Sequence, residues 1–180
     1  DNAANGVAIP EAGGVGPLVG LVGGRGARGP TSDHAEAAFV RLSIGQASRV
    51  RIIEKLVGML DGTEGAGAQE EAAAALAKLA QDSFDNRTSI VDAGGIKPLL
   101  SLLESPSAKA KENSVSAITH LAYKSKKIQG ALTKEGGIPL LAHVLVSVSS
   151  SGNAKELLAA AHLCSLVAQA ISQLTEGNKE

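Results

Sequence analysis

The sequence predicts an all-α fold, a solenoid of stacked helical units. Three observations carry that expectation. An apolar phrase opened by paired glycines recurs along the 180 residues. An alanine-rich phrase follows each copy. Aromatic residues make up only 2% of a chain that is 44% hydrophobic, so the core must come from Leu, Ile, Val and Ala. Alanine favours helix because it loses no side-chain entropy there, and small side chains let helices approach closely. No stretch alternates apolar and polar residues convincingly at period two, so no sheet is expected.

The first phrase reads IPEAGGVGPLVGLV at 9–22, IVDAGGIKPLLSLL at 90–103 and LTKEGGIPLLAHVL at 132–145. Gly94-Gly95 and Gly136-Gly137 are 42 residues apart, and Gly13-Gly14 lies 81 residues before Gly94-Gly95, about two periods. A middle copy, VRIIEKLVGML at 50–60, keeps the apolar residues and lacks the glycines. A short amphipathic helix should run into each Gly-Gly and stop there, because glycine enters the left-handed conformation of a helix stop without penalty. Pro17, Pro98 and Pro139 follow in what should be the first turn of a second helix, where a missing N–H costs nothing.

The alanine-rich phrase reads AEAAFVRLS (35–43), EAAAALAKLA (71–80), NSVSAITHLA (113–122) and LAAAHLCSLVA (158–168). Its apolar residues recur at three- and four-residue spacing, which predicts a longer third helix; Ala72, Ala75, Leu76 and Leu79 form the stripe in the second copy. No unit of this kind buries its apolar face alone. Stacked neighbours bury it, and the outcome is a quasi-one-dimensional array.

With EAGG-x-x-PLV-x-LV, DAGG-x-x-PLL-x-LL and A-x-x-AL-x-x-LA at a period of 42, the chain resembles the armadillo repeat family. The resemblance implies a right-handed α-solenoid with a short helix 1, a helix 2 and a longer helix 3 in each repeat. It implies one domain of four repeats over roughly 1–47, 48–83, 84–125 and 126–172, with 173–180 as a linker toward a further repeat. The HEAT family, with two helices per repeat, fits less well because it lacks the Gly-Gly break. Ile9, Val15 and Leu18 near one end, and Leu163, Leu166, Val167 and Ile171 near the other, read as internal-repeat residues rather than polar caps. The expectation is therefore a segment of a longer array.

Composition narrows the function classes. Seventeen basic and 18 acidic residues leave a net charge of −1. With no basic stripe and few stacking aromatics, no nucleic-acid partner is expected. No apolar run reaches the roughly 18 residues of a membrane span, so no membrane insertion is expected. The single Cys164 excludes an internal disulfide; it reads as a small buried residue and is compatible with cytosol, nucleus or organelle.

The stretch GGRGARGPTSD (23–33) spells G-x-G-x-x-G through Gly24, Gly26 and Gly29. A dinucleotide fingerprint needs a preceding strand and an acidic residue about 20 residues on. Here the glycines follow a helical phrase and fill the ordinary slot between second and third helices. Asp33 and Glu36 then stand at capping-box spacing, and Arg25 and Arg28 belong to a solvated loop. His34, His120, His143 and His162 include no i, i+4 pair, and Cys164 two residues after His162 points to another helix face, so no metal site is expected. Glu70, Glu71 and Glu112 read as third-helix surface. No nucleophile motif is present, and the expectation is a non-enzyme without cofactor or small-molecule substrate.

In armadillo proteins the third helices line a concave groove that takes extended peptides, and peptide-binding members keep Trp and Asn in the phrase W-A-L-x-N. The Asn positions correspond here to Arg41, Lys78, His120 and Ser165, and the Trp positions to Ala37, Ala74, Ser116 and Ala161. Both ladders of importin alpha are thus absent, which disfavours a nuclear-localisation-signal receptor. Cations at three of the four Asn positions are closer to the basic groove of beta-catenin. The leading expectation is a non-catalytic protein-interaction scaffold whose groove grips an acidic extended segment through Arg41, Lys78 and His120, by charge-assisted hydrogen bonds. The alternative is a structural subunit docked through apolar end or loop surfaces.

Overall fold

The computed structural model describes residues 46–149 and 154–176. The GGRGARGPTSD stretch, the first glycine pair and Arg41 lie outside the described residues. In chain order the helices are α1 (Gln46–Met59), α2 (Ala66–Asp82), α3 (Phe84–Asp92), α4 (Ile96–Ser101) continued by a 3-10 turn (Leu102–Glu104), α5 (Ala108–Ala122), α6 (Lys126–Lys134), α7 (Gly137–Ser149) and α8 (Ala154–Glu176). All regular elements among the described residues are helical, and they stack as an α-solenoid. Helices α3, α4 and α5 form one complete short–middle–long unit, and α6, α7 and α8 repeat it.

Each glycine pair works through two different properties. Gly94 and Gly136 sit at φ 79° and 81°, the left-handed region. Gly94 N–H donates to Val91 O and Gly95 N–H to Ile90 O, both at 2.9 Å, which closes the end of α3 in a Schellman turn. The second glycine of each pair meets a different constraint. A Cβ on Gly95 would stand 2.8 Å from Ile90 Cγ2 and 2.9 Å from Ile90 O, and one on Gly137 would stand 2.8 Å from Leu132 O. The chain therefore folds back tightly onto the helix it has just left. Pro98 and Pro139 each occupy the third position of the helix that follows, where no intrahelical acceptor is lost.

The copy without glycines behaves differently. Aligned on its apolar phrase, Arg51 and Ile52 stand where Gly94 and Gly95 stand 43 residues later. Lacking a residue suited to a left-handed stop, α1 runs unbroken from Gln46 to Met59. Ile52, Ile53, Leu56, Met59 and Leu60 are buried.

The long third helices form the spine. α2 and α5 make the most extensive helix–helix contact of the fold. The predicted stripe of Ala72, Ala75, Leu76 and Leu79 is buried, and so are Ala73, Ala77 and Ala80, because α2 lies between α1 and α5. Alanine makes this close double-sided packing feasible. Leu76, Leu79, Ile90, Leu99, Leu103, Ile118, Leu121 and Leu132 are among the largest fully buried side chains; burying such a residue contributes about 1.5–3 kcal/mol.

Serines start three of the helices. The side chains of Ser83, Ser107 and Ser125 accept from the N–H groups of Asp85, Ala110 and Ile128 at 3.1, 3.2 and 3.5 Å, satisfying donors that have no intrahelical partner. The opposite ends are satisfied from the next repeat. Buried Asn86 on α3 donates to Leu79 O at 2.9 Å, and buried Gln129 on α6 donates to Ala122 O at 2.8 Å. Both acceptors belong to the last turn of a third helix, where carbonyls lack intrahelical donors. A buried amide seven residues downstream thus locks each short helix across the preceding long one.

Candidate functional site

Lys78 on α2 and His120 on α5 occupy equivalent positions 42 residues apart on neighbouring third helices. Two side chains of α5 bridge back to main-chain carbonyls of α2. Asn113 Nδ2 donates to Glu70 O at 2.8 Å, and His120 Nδ1 lies 3.1 Å from Ala77 O. The links sit two helical turns apart, and each joins residues 43 apart in sequence. Ser107, which caps α5, also donates its hydroxyl to Glu70 Oε1. Glu70 is half-buried and holds the start of the next third helix, so it is more than the plain surface carboxylate expected from sequence.

His120 departs from its expected role as a cation. Its acceptor is a carbonyl, so Nδ1 carries the hydrogen and donates. Burial pushes its pKa below the ordinary 6.5, and nearby Arg87 and Lys78 push the same way, against the Ala77 bond and Asp82. At neutral pH the imidazole is therefore an uncharged donor to α2, with Nε2 left as the ring's acceptor. Lys78 is half-buried. Ser165 on α8 is exposed, and it does not line the pocket that His120 lines.

The pocket that His120 lines has a volume of about 240 Å³. Three third helices meet there: Ala80 and Gln81 from α2, Thr119 and His120 from α5, and Gln169 and Gln173 from α8, with Arg87 and Tyr123 at its sides. Arg87 is held twice, by an Nη1 hydrogen bond to Ala80 O at 3.0 Å and by stacking of its guanidinium 5.7 Å from the Phe84 ring centroid. Two of these residues each carry a polar atom that is buried away from solvent with no hydrogen-bond partner on the protein, Arg87 Nε and Gln173 Oε1. The sequence reading missed Arg87, Gln169 and Gln173. Arg87 stands in a short first helix rather than a third one, and the glutamines lie past the aligned phrase of the last repeat.

Phe84 opens α3 beneath the Arg87 guanidinium and Tyr123 follows directly on α5; they are 56% and 46% exposed, and Lys124 stands 5.1 Å from the Tyr123 ring centroid. Elsewhere, His143 is exposed and Cys164 half-buried. Among the described residues no group of three or more His, Cys, Asp or Glu side chains is placed to hold a metal ion, and no helix is long and apolar enough to cross a membrane.

Comparison with known proteins places this geometry. Residues 83–123 match the Armadillo/beta-catenin-like repeat family, the span of α3, α4 and α5. A comparison with curated proteins gives no match. Among solved structures, one designed armadillo repeat protein shares 23% identity over 96% of this chain and 69% of its own, with a TM-score of 0.59. A computationally designed armadillo repeat protein for modular peptide recognition shares 22% over 91% and 68%, with a TM-score of 0.55. A designed armadillo repeat protein in complex with peptide (KR)4 shares 23% over 87% and 65%, with a TM-score of 0.54.

Proposed function

We propose that this chain, which matches the Armadillo/beta-catenin-like repeat family over residues 83–123 and shares the fold of designed armadillo repeat proteins, is a non-catalytic scaffold that binds an extended peptide segment along its third helices, with a preference for acidic residues. The observation that carries the reading is the shared face of α2, α5 and α8, where Lys78, His120 and the Arg87 pocket lie within one another's electrostatic reach. Designed relatives of the fold, one built for peptide recognition and one in complex with (KR)4, support a peptide as the ligand class. A basic peptide does not suit this face. Lys78 and Arg87 would repel it, whereas carboxylates would gain charge-assisted bonds. In the sequence alignment of the alanine-rich phrases, Arg41 and Ser165 correspond to Lys78 and His120.

Fluorescence anisotropy with labelled (Asp-Glu)4, (Lys-Arg)4 and (Gly-Ser)4 peptides tests this. The acidic peptide should bind best. Its affinity should fall as salt rises from about 0.1 M to about 1 M, because the screening length shrinks from about 10 Å to about 3 Å. The combined Arg41→Ala and Lys78→Ala change should abolish the acidic preference. Equal binding of all three peptides, or acidic binding that survives this double change, would remove the reading. A partner that docks without salt dependence would favour the alternative of an apolar surface, for which Val146, 66% exposed on α7, is the natural centre.

A further inference from the structure

The corner between α5 and α6 concentrates positive charge that the fold itself does not use. It reads Tyr123-Lys124-Ser125-Lys126-Lys127, and all of it except the capping Ser125 is exposed. Among the described residues neither Lys124 nor Lys127 forms an ion pair with a carboxylate. Lys124 instead lies 5.1 Å from the centroid of the Tyr123 ring. The equivalent corner 42 residues earlier reads Gln81-Asp82-Ser83-Phe84-Asp85. Its charges are opposite in sign and have cations beside them: Asp85 pairs with Arg49 at 3.7 Å, and Arg87 stacks on Phe84.

Two features show that the lysines cost the fold stability rather than add it. Lys124 sits at φ 52°, the one non-glycine residue with a positive φ among the described residues, and the left-handed region strains a residue that carries a Cβ. Lys126 and Lys127 stand in the first turn of α6, which holds no acidic residue, and cations there oppose the positive end of the helix dipole. Lys124 and Lys127 thus present exposed charge from which folding gains nothing.

The place of the corner identifies the partner. Tyr123 lines the pocket that Gln81 of α2, His120 of α5 and Gln169 of α8 also line, so the corner borders the third-helix face. We infer that it takes the acidic flank of the peptide segment bound there. Carboxylates just past the residues that lie on the third helices meet Lys124 and Lys127, and Lys126 adds to the attracting field. The three lysines of this corner are fewer than the roughly 4–8 cations of segments that hold anionic membranes. A nucleic-acid strand would call for a basic stripe with several stacking aromatics. Exposed charge pairs contribute modestly, so the corner acts on a segment already seated in the groove and does not hold one alone.

This inference rests on the peptide-groove reading, and one set of variants separates the two. Anisotropy with the labelled (Asp-Glu)4 peptide is repeated on the double variants Lys124→Ala/Lys127→Ala and Lys97→Ala/Lys109→Ala, and on Lys124→Gly. The corner pair should weaken binding about fivefold, chiefly through slower association. The second pair removes the same net charge from α4 and from the start of α5, at the far end of that helix from the corner, and should leave affinity unchanged. Lys124→Gly removes one charge and relieves the left-handed backbone, so it should keep its thermal midpoint while binding about twofold more weakly. Affinity unchanged in the corner pair, or an equal loss in both pairs, overturns the corner and leaves the groove reading standing. Capture of the wild-type protein by phosphatidylserine vesicles, lost in a corner pair that still binds the peptide normally, assigns the lysines to a membrane surface and overturns the inference as well. Absence of peptide binding by the wild-type protein overturns the groove reading itself, and the corner with it.

Discussion

The two glycines of a pair should respond differently to substitution, and the structure supplies the magnitudes. Gly94 has no heavy atom within 4 Å of a Cβ and needs only its φ of 79°. Alanine there pays the left-handed penalty of about 1–2 kcal/mol, less up to about 1 kcal/mol for a less flexible unfolded chain. A net loss of about 1 kcal/mol follows for Gly94→Ala, and Gly94→Asn should recover most of it, because asparagine tolerates the left-handed region. Gly95 has ordinary helical dihedrals, φ −66° and ψ −16°, but its Cβ would stand 2.9 Å from Ile90 O, the oxygen that Gly95 N–H already bonds. Overpacking against backbone costs about 1–3 kcal/mol, and losing that hydrogen bond adds about 1 kcal/mol. After the same unfolded-state gain, Gly95→Ala should lose about 2 kcal/mol, and Gly95→Asn at least as much. For a chain of this size 1 kcal/mol corresponds to about 2–4 °C in thermal midpoint, so Gly95→Ala should drop by about 4–8 °C. Thermal unfolding followed by circular dichroism orders the variants. A Gly95→Ala protein as stable as wild type, or an asparagine rescue at 95 but not at 94, would refute the division of labour between the two glycines.

Three further outcomes follow from the packing. Asn86→Ala and Gln129→Ala should each cost about 1–3 kcal/mol in urea unfolding, because Leu79 O or Ala122 O is left buried without its donor; Asn86→Asp should be no better, since it sets a carboxylate against the same carbonyl. Stability should also depend on His120. Its folded pKa lies below the unfolded value near 6.5, so the unfolded chain takes up the proton first. Its contribution is fully present above pH 6.5 and is lost as pH falls through the folded pKa; His120→Gln, scanned over the same window, should flatten that part of the profile. Leu99→Ala or Ile118→Ala, both fully buried, should lose about 2–5 kcal/mol in the same unfolding assay.

The repeat architecture was readable because it is written in residues with strong local meaning. Gly94 and Gly136 mark backbone that other residues avoid, Pro98 and Pro139 mark first turns, and the run Ala72–Ala80 marks a helix packed on two sides. The unbroken α1 was half-readable: the missing glycines at Arg51 and Ile52 are visible in the sequence, and the fusion of two helices into one that follows shows only in the structure. The ties between repeats were not readable. Asn86, Gln129, Asn113 and His120 all bond to main-chain carbonyls, and a carbonyl has no sequence signature. His120 shows the cost of this most clearly, since position alone made it a cation and its carbonyl partner and burial make it neutral. The pocket of Arg87 and Gln173 draws on three successive repeats, and only the stacking of α2, α5 and α8 brings its parts together.

The central claim, a peptide lying along the third helices, is tested most directly by nuclear magnetic resonance with a spin-labelled (Asp-Glu)4 peptide. Paramagnetic broadening should concentrate on the amide signals of Lys78 and His120 and on the side-chain amide of Gln173, and leave Val146 on α7 sharp. Broadening centred on Val146, with Lys78 and His120 unaffected, would contradict the claim.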